Sequence, residues 1–329
     1  MIKSFKKKCL VNLCLIGAGL AFSVGAQAQT LKLGHVTPPT HVWHQVAEKI
    51  DENIQKNSEG KFKVDVNPLS KLGSEGQMVN LLQSGAMPLG ILTGAFVANR
   101  EESLLGWSLP YLFDDVEDAT KATELDSAQE MLQNLDKQGL VGLGYVFAGM
   151  RHILSTEPIA SPDDLKNKKI RAFPSPLFND WWNANGAAPT AMPLSEVAPS
   201  LTTNLLNVVD VDLDALVGMK LHQQAPYLSL TNQMAFIGVI VASKRYWERL
   251  DADQQEMLLK SIKDAEKWGF QRAIDADVNN LALLKEDGIK IQEIDLQPFM
   301  KIGEEITQKY IENNSLRAKF HKEVNELKN

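Results

Sequence analysis

The sequence predicts an α/β protein of two domains, joined by crossing strands and by a long helix that lies across both. The chain has 329 residues, about twice the usual size of one domain. Segments with the alternation typical of strands take turns with segments of helical spacing, as in α/β domains. A helical pattern over residues 251–288 exceeds the size of one domain.

Strands are predicted where apolar residues alternate or form short uninterrupted runs. Leu31, Leu33 and His35 alternate on one face, whereas the run over residues 235–242 is apolar throughout, as in a central strand covered on both faces. The predicted strands are residues 30–36, 62–66, 90–93, 140–147, 151–155, 169–173, 208–211 and 235–242. Their alternation with helices predicts a largely parallel sheet.

Helices are predicted where apolar residues recur every three or four positions. Trp43, Val46 and Ile50 follow this spacing after a proline start signal, and Asp251 caps the long C-terminal pattern. The predicted helices are residues 43–54, 78–85, 116–137, 177–185, 195–203, 213–223 and 251–288. Because no repeat or low-complexity linker is present, we expect the chain to cross between domains more than once.

Composition excludes several classes of protein. The chain is 44% hydrophobic and 23% charged, which is ordinary for a soluble globular protein. A formal net charge of −7 argues against a nucleic-acid partner, since phosphate contacts need a basic face. Two cysteines cannot form a disulfide scaffold for a chain of this length.

The N-terminus predicts export to the periplasm. Four lysines precede an apolar run over residues 9–25, and small residues at Ala26 and Ala28 fit a cleavable signal peptide of residues 1–28. The alternative is a membrane anchor. Asn12 and a run shorter than about 20 apolar residues disfavour that alternative. We therefore expect cleavage after Ala28.

Catalytic and cofactor motifs are sparse. Gly142 and Gly144 follow a strand, but the third glycine of a dinucleotide fingerprint would fall at Phe147. The chain has no phosphate-loop lysine motif, no G-x-S-x-G elbow and no H-E-x-x-H motif. We therefore expect neither an enzyme nor a bound cofactor.

Three histidines leave a metal-binding alternative open. His35, His41 and His44 lie within ten residues of one another, and a metal site would need them to converge with a carboxylate. The structural interpretation is one histidine on a strand face and two at the entry of a helix.

Two arginines stand out in apolar strand segments. Arg151 opens a strand, and Arg171 lies between Ile170 and Ala172. A guanidinium in such a setting either forms a salt bridge to a protein acid or binds an anion bidentately. Phe173 and the prolines that follow favour a small-molecule cleft at Arg171.

The order of several motifs resembles the DctP-type solute-binding proteins of tripartite ATP-independent periplasmic (TRAP) transporters. The match covers roughly residues 31–299, and its most specific part is Ser161-Pro162-Asp163-Asp164-Leu165-Lys166, which leads to Arg171. The other matching segments are residues 33–37, 58–61, 72–75, 109–113, 186–193 and 195–197.

The resemblance implies a two-domain periplasmic binding protein fold with a ligand cleft between its lobes. Domain I would be residues 29–148 plus 238–276, and domain II would be residues 149–237 plus 277–329. The implied partners are a small organic anion and the integral-membrane TRAP subunits, with no nucleic acid, and the protein would be a monomer.

The resemblance also assigns ligand contacts. In the family, the arginine at the position of Arg171 binds the substrate carboxylate, and an arginine at the position of Arg151 often assists it. The family places further contacts near Thr37, near Glu75 and on the loop at Phe96. Phe173 completes the aromatic side of the expected cleft.

The sequence departs from the family pattern after Glu196. Val211 replaces the asparagine that usually contacts the ligand, whereas Asp210 keeps an acid at the glutamate position. Asp210 could face a ligand hydroxyl or amine, bind a cation, or cap structure. Asp212 and Asp214 are expected to begin the next helix, where acids suit the helix dipole.

The favoured function is therefore capture of a small organic acid for uptake driven by an ion gradient. Two alternatives remain, a metal-binding receptor that uses the three histidines and a hydrolase or lyase that works through Asp210. Organic acids, sugar acids, keto acids and sulfonates all fit the expected arginine site.

Overall fold

The computed structural model describes residues 28–328. The predicted signal peptide lies outside the described residues, except for Ala28. Within residues 28–328 the strands are β1 (Gln29–Gly34), β2 (Phe62–Asn67), β3 (Leu89–Thr93), β4 (Leu140–Ser155), β5 (Lys169–Ala172), β6 (Ala188–Ala191), β7 (Val208–Asp212), β8 (Tyr227–Ser229), β9 (Ala235–Ser243) and β10 (Lys290–Gln292).

The helices alternate with these strands. The α-helices are α1 (Val42–Asn57), α2 (Glu75–Ser84), α3 (Gly94–Val97), α4 (Val116–Lys121), α5 (Asp126–Asn134), α6 (Pro176–Ala184), α7 (Val197–Thr202), α8 (Leu213–Gly218), α9 (Lys244–Trp247), α10 (Ala252–Glu286), α11 (Gln297–Glu312) and α12 (Ser315–Leu327). Short 3-10 helices are Glu102–Ser108, Ala122–Glu124, Leu135–Gln138, Pro162–Leu165, Leu194–Glu196 and Leu221–Gln223.

The central strand β4 joins the two ends of one continuous sheet. The strand order is β2-β1-β3-β9-β4-β7-β5-β6, and β8 pairs with both β4 and β10. The first part of β4 pairs with β9, and residues 151–155 pair with β7. The two predicted strands over residues 140–147 and 151–155 are therefore one strand.

The sheet is mixed, which corrects the prediction of a largely parallel one. Strands β1, β2 and β3 pair in parallel at one end, and β5 pairs in parallel with β6 and β7 toward the other. At the centre, β9 and β4 make antiparallel pairs with each other and with their outer neighbours. Local alternation does not report strand direction, because direction depends on where the connection returns the chain.

The helix predicted over residues 116–137 is broken into α4, α5 and two 3-10 turns. The hydroxyl groups of Thr120 and Thr123 donate to the carbonyl oxygens of Glu117 and Thr120, each at 2.7 Å. These side chains compete for backbone acceptors, which explains why the α-helical pattern stops here.

Helix α10 spans 35 residues and contacts both halves of the molecule. Asp251 and Gln254 form a capping box at its start, so its predicted beginning is confirmed. It packs against α1, α8 and β4. Across the described residues, no helix combines the length and apolarity needed to cross a membrane.

The C-terminal helices α11 and α12 pack against each other. Helix α11 packs against α6, and α12 packs against α5 and the 3-10 helix Glu102–Ser108. The predicted domain boundaries, with residues 277–329 in domain II, stay a prediction.

Candidate functional site

A cleft of about 410 Å³ lies between two parts of the chain that are distant in sequence. One wall comes from an N-terminal segment (residues 36–96) and the other from a central segment (residues 151–215), with Phe236 from β9 between them. The polar and charged lining residues are Thr37, His41, Ser70, Ser74, Glu75, Thr93, Arg151, Arg171 and Asp212. The cleft therefore combines an apolar surface with a few convergent polar groups, as small-molecule sites do.

Arg171 is presented by β5 and is only 5% exposed. Its Nε donates to the carbonyl oxygen of Met192 at 3.3 Å, and its guanidinium carbon lies 4.1 Å from the ring centre of Phe173. Among residues 28–328, no carboxylate oxygen lies within 4.0 Å of its nitrogens. Arg171 is thus a buried cation in the cleft that forms no ion pair with an acid in the described part of the chain.

Arg151 is held quite differently. Its Nε donates to Asp210 Oδ1 at 2.7 Å and its Nη1 donates to Asp212 Oδ2 at 3.1 Å. Its Nη2 donates to the backbone carbonyl of Asp210. The aromatic rings of Phe173 and Phe236 lie 5.1 and 4.4 Å from the guanidinium carbon. Two acids therefore neutralise Arg151.

Strand pairing produces this arrangement. In the antiparallel ladder between β4 and β7, Arg151 lies opposite Asp212 and Ile153 lies opposite Asp210. The side chains of Asp210 and Asp212 therefore both reach the guanidinium from one neighbouring strand.

The two arginines also interact electrostatically. Burial, and then the positive charge of Arg151, lowers the pKa of Arg171 to about 10. This pKa is still well above neutral pH, so the Arg171 guanidinium remains protonated.

Asp210 lies behind Arg151 and is not among the residues that line the cleft. It is fully buried, and its Oδ1 also accepts a hydrogen bond from Gln233 Nε2 at 3.2 Å. Val211, the next residue, does line the cleft. The structure therefore places the apolar replacement at the surface of the cleft and the acid behind it.

Glu75 lies at the first position of α2, and both of its carboxylate oxygens are used by Thr93. Oε1 accepts from the Thr93 backbone nitrogen at 2.7 Å, and Oε2 accepts from the Thr93 hydroxyl at 3.0 Å. Burial raises the pKa of Glu75 from 4.5 to about 7, although these hydrogen bonds and the charge of Arg171 oppose the increase. Thr37 and Phe96 line the same cleft.

Asp212 is a cleft residue that the sequence analysis assigned only to a helix start. It does cap α8, because its Oδ1 accepts from the Ala215 backbone nitrogen at 2.8 Å. It also pairs with Arg151 and lies 3.6 Å from His41 Nε2. Burial opposes ionisation, but His41 and Arg151 hold the pKa of Asp212 below its ordinary value. The acidic pattern after β7 was the only sequence signal for this role.

The three histidines do not converge on a common centre. His35 Nε2 lies 3.0 Å from His44 Nδ1, and His35 Nδ1 lies 2.9 Å from Thr37 Oγ1. His41 instead caps α1 and faces Asp212 and Asp214. Burial lowers the pKa of His35 to about 3, which keeps this ring neutral. Within residues 28–328, no group of three or more potential ligands is arranged to hold a metal ion.

A cleft between two halves of a mixed α/β molecule, with a buried arginine in its wall, is the arrangement expected of a two-lobed solute-binding protein. Residues 33–314 match the family model DctP, described as bacterial extracellular solute-binding protein, family 7. The chain belongs to this family, so the resemblance to TRAP solute-binding proteins and the predicted fold class are confirmed.

Several characterised proteins are similar along most of the chain. The 2,3-diketo-L-gulonate-binding periplasmic protein YiaO of Escherichia coli is 26% identical, over 96% of this chain and 98% of that protein. The C4-dicarboxylate-binding periplasmic protein DctP of Rhodobacter capsulatus is 28% identical, over 82% of each chain. A crystal structure of a TRAP periplasmic solute-binding protein of Citrobacter koseri with bound D-glucuronate is 27% identical, with a TM-score of 0.84, and covers 90% of this chain and 98% of that one.

Proposed function

We propose that this protein is the periplasmic component of a TRAP transporter and captures a small organic acid through the guanidinium of Arg171. The observation that carries the proposal is the contrast between two buried arginines in one cleft. Arg151 has two acidic partners within 3.1 Å, whereas Arg171 has none within 4.0 Å among the described residues. A planar guanidinium binds a carboxylate bidentately, and such a pair is strongest where water is excluded.

Arg151 acts in this proposal as an assisting residue, since it is fixed by Asp210 and Asp212. Its guanidinium lies against Phe173 and Phe236, which also line the cleft. Phe173 lies against Arg171 as well, so it sets the position of both guanidinium groups. The proposed ligand carboxylate would meet Arg171 directly and Arg151 along its remaining edge.

We propose a hydroxylated monocarboxylate, of the sugar-acid type, as the ligand. One guanidinium remains for one carboxylate, while Thr37, Glu75 and Asp212 offer acceptors for hydroxyl groups. A second carboxylate would meet these acids instead of a cation. The names of the similar Escherichia coli and Citrobacter koseri proteins include a sugar acid, whereas that of the Rhodobacter capsulatus protein includes C4-dicarboxylates.

The remaining steps follow from the family. We propose that the chain is exported by a signal peptide cleaved after Ala28 and acts as a monomer. It would release its ligand, without making or breaking a bond, to integral-membrane subunits that use an ion gradient. Thr37, Glu75 and Phe96 would contact the ligand from the N-terminal segment, opposite the arginines of the central segment.

A thermal-shift screen of the purified protein tests the ligand class. We expect gulonate, glucuronate, galacturonate and 2,3-diketogulonate to raise the unfolding midpoint more than succinate or malate at equal concentration. Stabilisation grows with ligand concentration relative to Kd, so full titrations rank the ligands. If succinate and malate gave the larger shifts, the monocarboxylate proposal would be wrong. If no organic anion stabilised the protein, the capture proposal would be wrong.

Calorimetry with the best ligand tests the arginine. We expect Arg171→Ala to weaken binding by about 2 kcal/mol or more, because a buried charged hydrogen-bond partner is lost. The affinity of Arg171→Lys should lie between those of the wild type and Arg171→Ala, since lysine keeps the positive charge but cannot bind a carboxylate bidentately. Arg249→Ala is the control, because Arg249 is an exposed arginine that does not line the cleft. Near-native affinity of Arg171→Ala would overturn the assignment.

A further inference from the structure

A second cavity, of about 400 Å³, lies on the other side of one cleft wall. It is bounded by residues 98–105, by the start of α6 and by the turn between α11 and α12. It shares no lining residue with the first cleft. Asn99 Nδ2 donates to the carbonyl oxygen of Pro174 at 2.9 Å, and this contact forms part of the wall between the two cavities.

Arg317 lines this cavity and is 3% exposed. Its Nη1 donates to the carbonyl oxygen of Glu102 at 3.3 Å, whereas its buried Nε has no hydrogen-bond partner among residues 28–328. No carboxylate oxygen of residues 28–328 lies within 4.0 Å of its nitrogens. A buried guanidinium with an unsatisfied nitrogen and no ion-pair partner is unfavourable unless an anion compensates it.

Two acids, Glu102 and Asp180, line the cavity, and neither forms an ion pair with Arg317 among the described residues, although the charge of Glu102 favours the charged form of Arg317 from a longer distance. Asp180 Oδ2 already accepts from Lys309 Nζ at 2.7 Å and from Tyr310 Oη at 2.8 Å. The side chain of Glu102 is exposed and forms no ion pair among the described residues. Arg317 therefore differs from Arg151, whose two acids lie directly against its guanidinium.

Other features of the cavity also favour an anion. Arg317 lies in the first turn of α12, a helix of 13 residues whose positive dipole end faces this region. Lys309, which is paired with Asp180, adds a second cation to the lining, and Asn313 adds an amide. The ring of Tyr310 lies 5.2 Å from the guanidinium carbon of Arg317 and supports its orientation.

We propose that this second cavity is a binding site for a small oxyanion, either a carboxylate or a phosphate, held by Arg317 with support from Lys309. The site is separate from the proposed organic-acid cleft and does not depend on it. A bound oxyanion would contact the C-terminal helices together with residues 98–105 and α6. It would therefore stabilise the folded protein in proportion to its occupancy.

The test uses the Arg171→Ala variant, in which binding in the first cleft is weakened. Its thermal unfolding is followed against sodium phosphate and, separately, sodium acetate, with ionic strength held constant by sodium chloride. We expect a saturable rise in the midpoint for at least one anion. The anion with the lower half-saturation concentration then identifies phosphate or carboxylate as the preferred group.

The double variant Arg171→Ala/Arg317→Gln is the comparison. We expect its half-saturation concentration to increase at least tenfold, because the amide keeps the polar contact but loses the charge. Equal titration curves for the two proteins, or no saturable effect in either, would overturn the proposal.

A second variant and a second measurement keep the test valid if Arg317→Gln does not fold. In the Arg171→Ala background, Lys309→Gln should increase the half-saturation concentration by a smaller factor. In crystals soaked with selenate, we expect an anomalous peak within hydrogen-bond distance of Arg317. The absence of an anomalous selenium peak at this position would refute the site.

Discussion

At the scale of residues, the main feature of the molecule is that two arginines, 20 residues apart in the sequence, differ in their ion pairing. Both are buried and both line the cleft, but among residues 28–328 only Arg151 has acidic partners within 4.0 Å. A buried pair is favourable only when both partners are present. Arg151 is thus part of the folded framework, while Arg171 is the group with unused binding capacity.

We predict that Asp210→Ala lowers the free energy of unfolding by about 3–5 kcal/mol, because it leaves Arg151 buried with one acid fewer. Guanidinium chloride unfolding at pH 7 measures this change. The control is Asp163→Ala, which removes the exposed pair with Lys166 and should cost less than about 1 kcal/mol. Similar losses in both variants would contradict the structural role of Asp210.

Glu75 predicts a specific pH dependence of stability. Its pKa in the folded protein is about 7, above the ordinary value of 4.5, so the folded state binds more protons between these values. The contribution of Glu75 to stability is therefore present below pH 4.5 and is lost as the pH rises toward and through 7. Glu75→Gln removes this titration.

We therefore predict that Glu75→Gln gains stability relative to the wild type as the pH rises from 5 to 8. Thermal or urea unfolding of both proteins at several pH values gives the difference, in which the other titrating groups cancel. A difference that is constant over this range would show that burial does not raise the pKa of Glu75.

At the scale of elements, β4 and α10 link the two sides of the cleft. The sequence patterns predicted two separate strands in this region. In the structure they form the single strand β4, which pairs first with β9 and then with β7. Helix α10 packs along α1 on one side and α8 on the other. Because both elements are continuous, movement of the two sides must be accommodated by bending within them or in the loops.

The contact between α1 and α10 depends on Gly269. A Cβ atom added at this position would lie 2.5 Å from Val46 Cγ2. We predict that Gly269→Ala destabilises the protein by about 1–3 kcal/mol through overpacking, although alanine is the better helix former by about 1 kcal/mol. Chemical unfolding measures the change.

The double variant Val46→Ala/Gly269→Ala is the internal test of that prediction. Removing the clashing methyl groups should make Gly269→Ala neutral or stabilising in the Val46→Ala background. If the effect of Gly269→Ala were the same in both backgrounds, the close approach of α1 and α10 would not be its cause.

At the scale of the whole molecule, the cleft lies between the N-terminal and central segments, so a bound ligand would touch both. A ligand shifts a conformational equilibrium only through contacts that differ between the states. We therefore predict that the best ligand of the screen decreases the radius of gyration in small-angle X-ray scattering. Arg171→Ala at the same ligand concentration should show no decrease. An unchanged radius for the saturated wild type would contradict closure.

Much of the fold could be predicted because many of its elements depend on local sequence patterns. Strand β1, helix α1, the buried strand β9 and the start of α10 follow from apolar periodicity and from the cap at Asp251. Strands β6, β8 and β10 were missed, since β8 and β10 have three residues each and β6 contains Pro189, which disfavours a strand. The break between α4 and α5 arises from threonine hydroxyls and carries no glycine or proline signal.

The sequence by itself determined the α/β class, the family motifs and the two arginines as candidate anion ligands, because residue type, spacing and local order carry this information. Only the tertiary structure decided which arginine has no acidic partner among residues 28–328. Asp210 and Asp212 are 59 and 61 residues from Arg151 along the chain, and the pairing of β4 with β7 brings them together. Such long-range pairing depends on the register of the whole sheet, which no local pattern specifies.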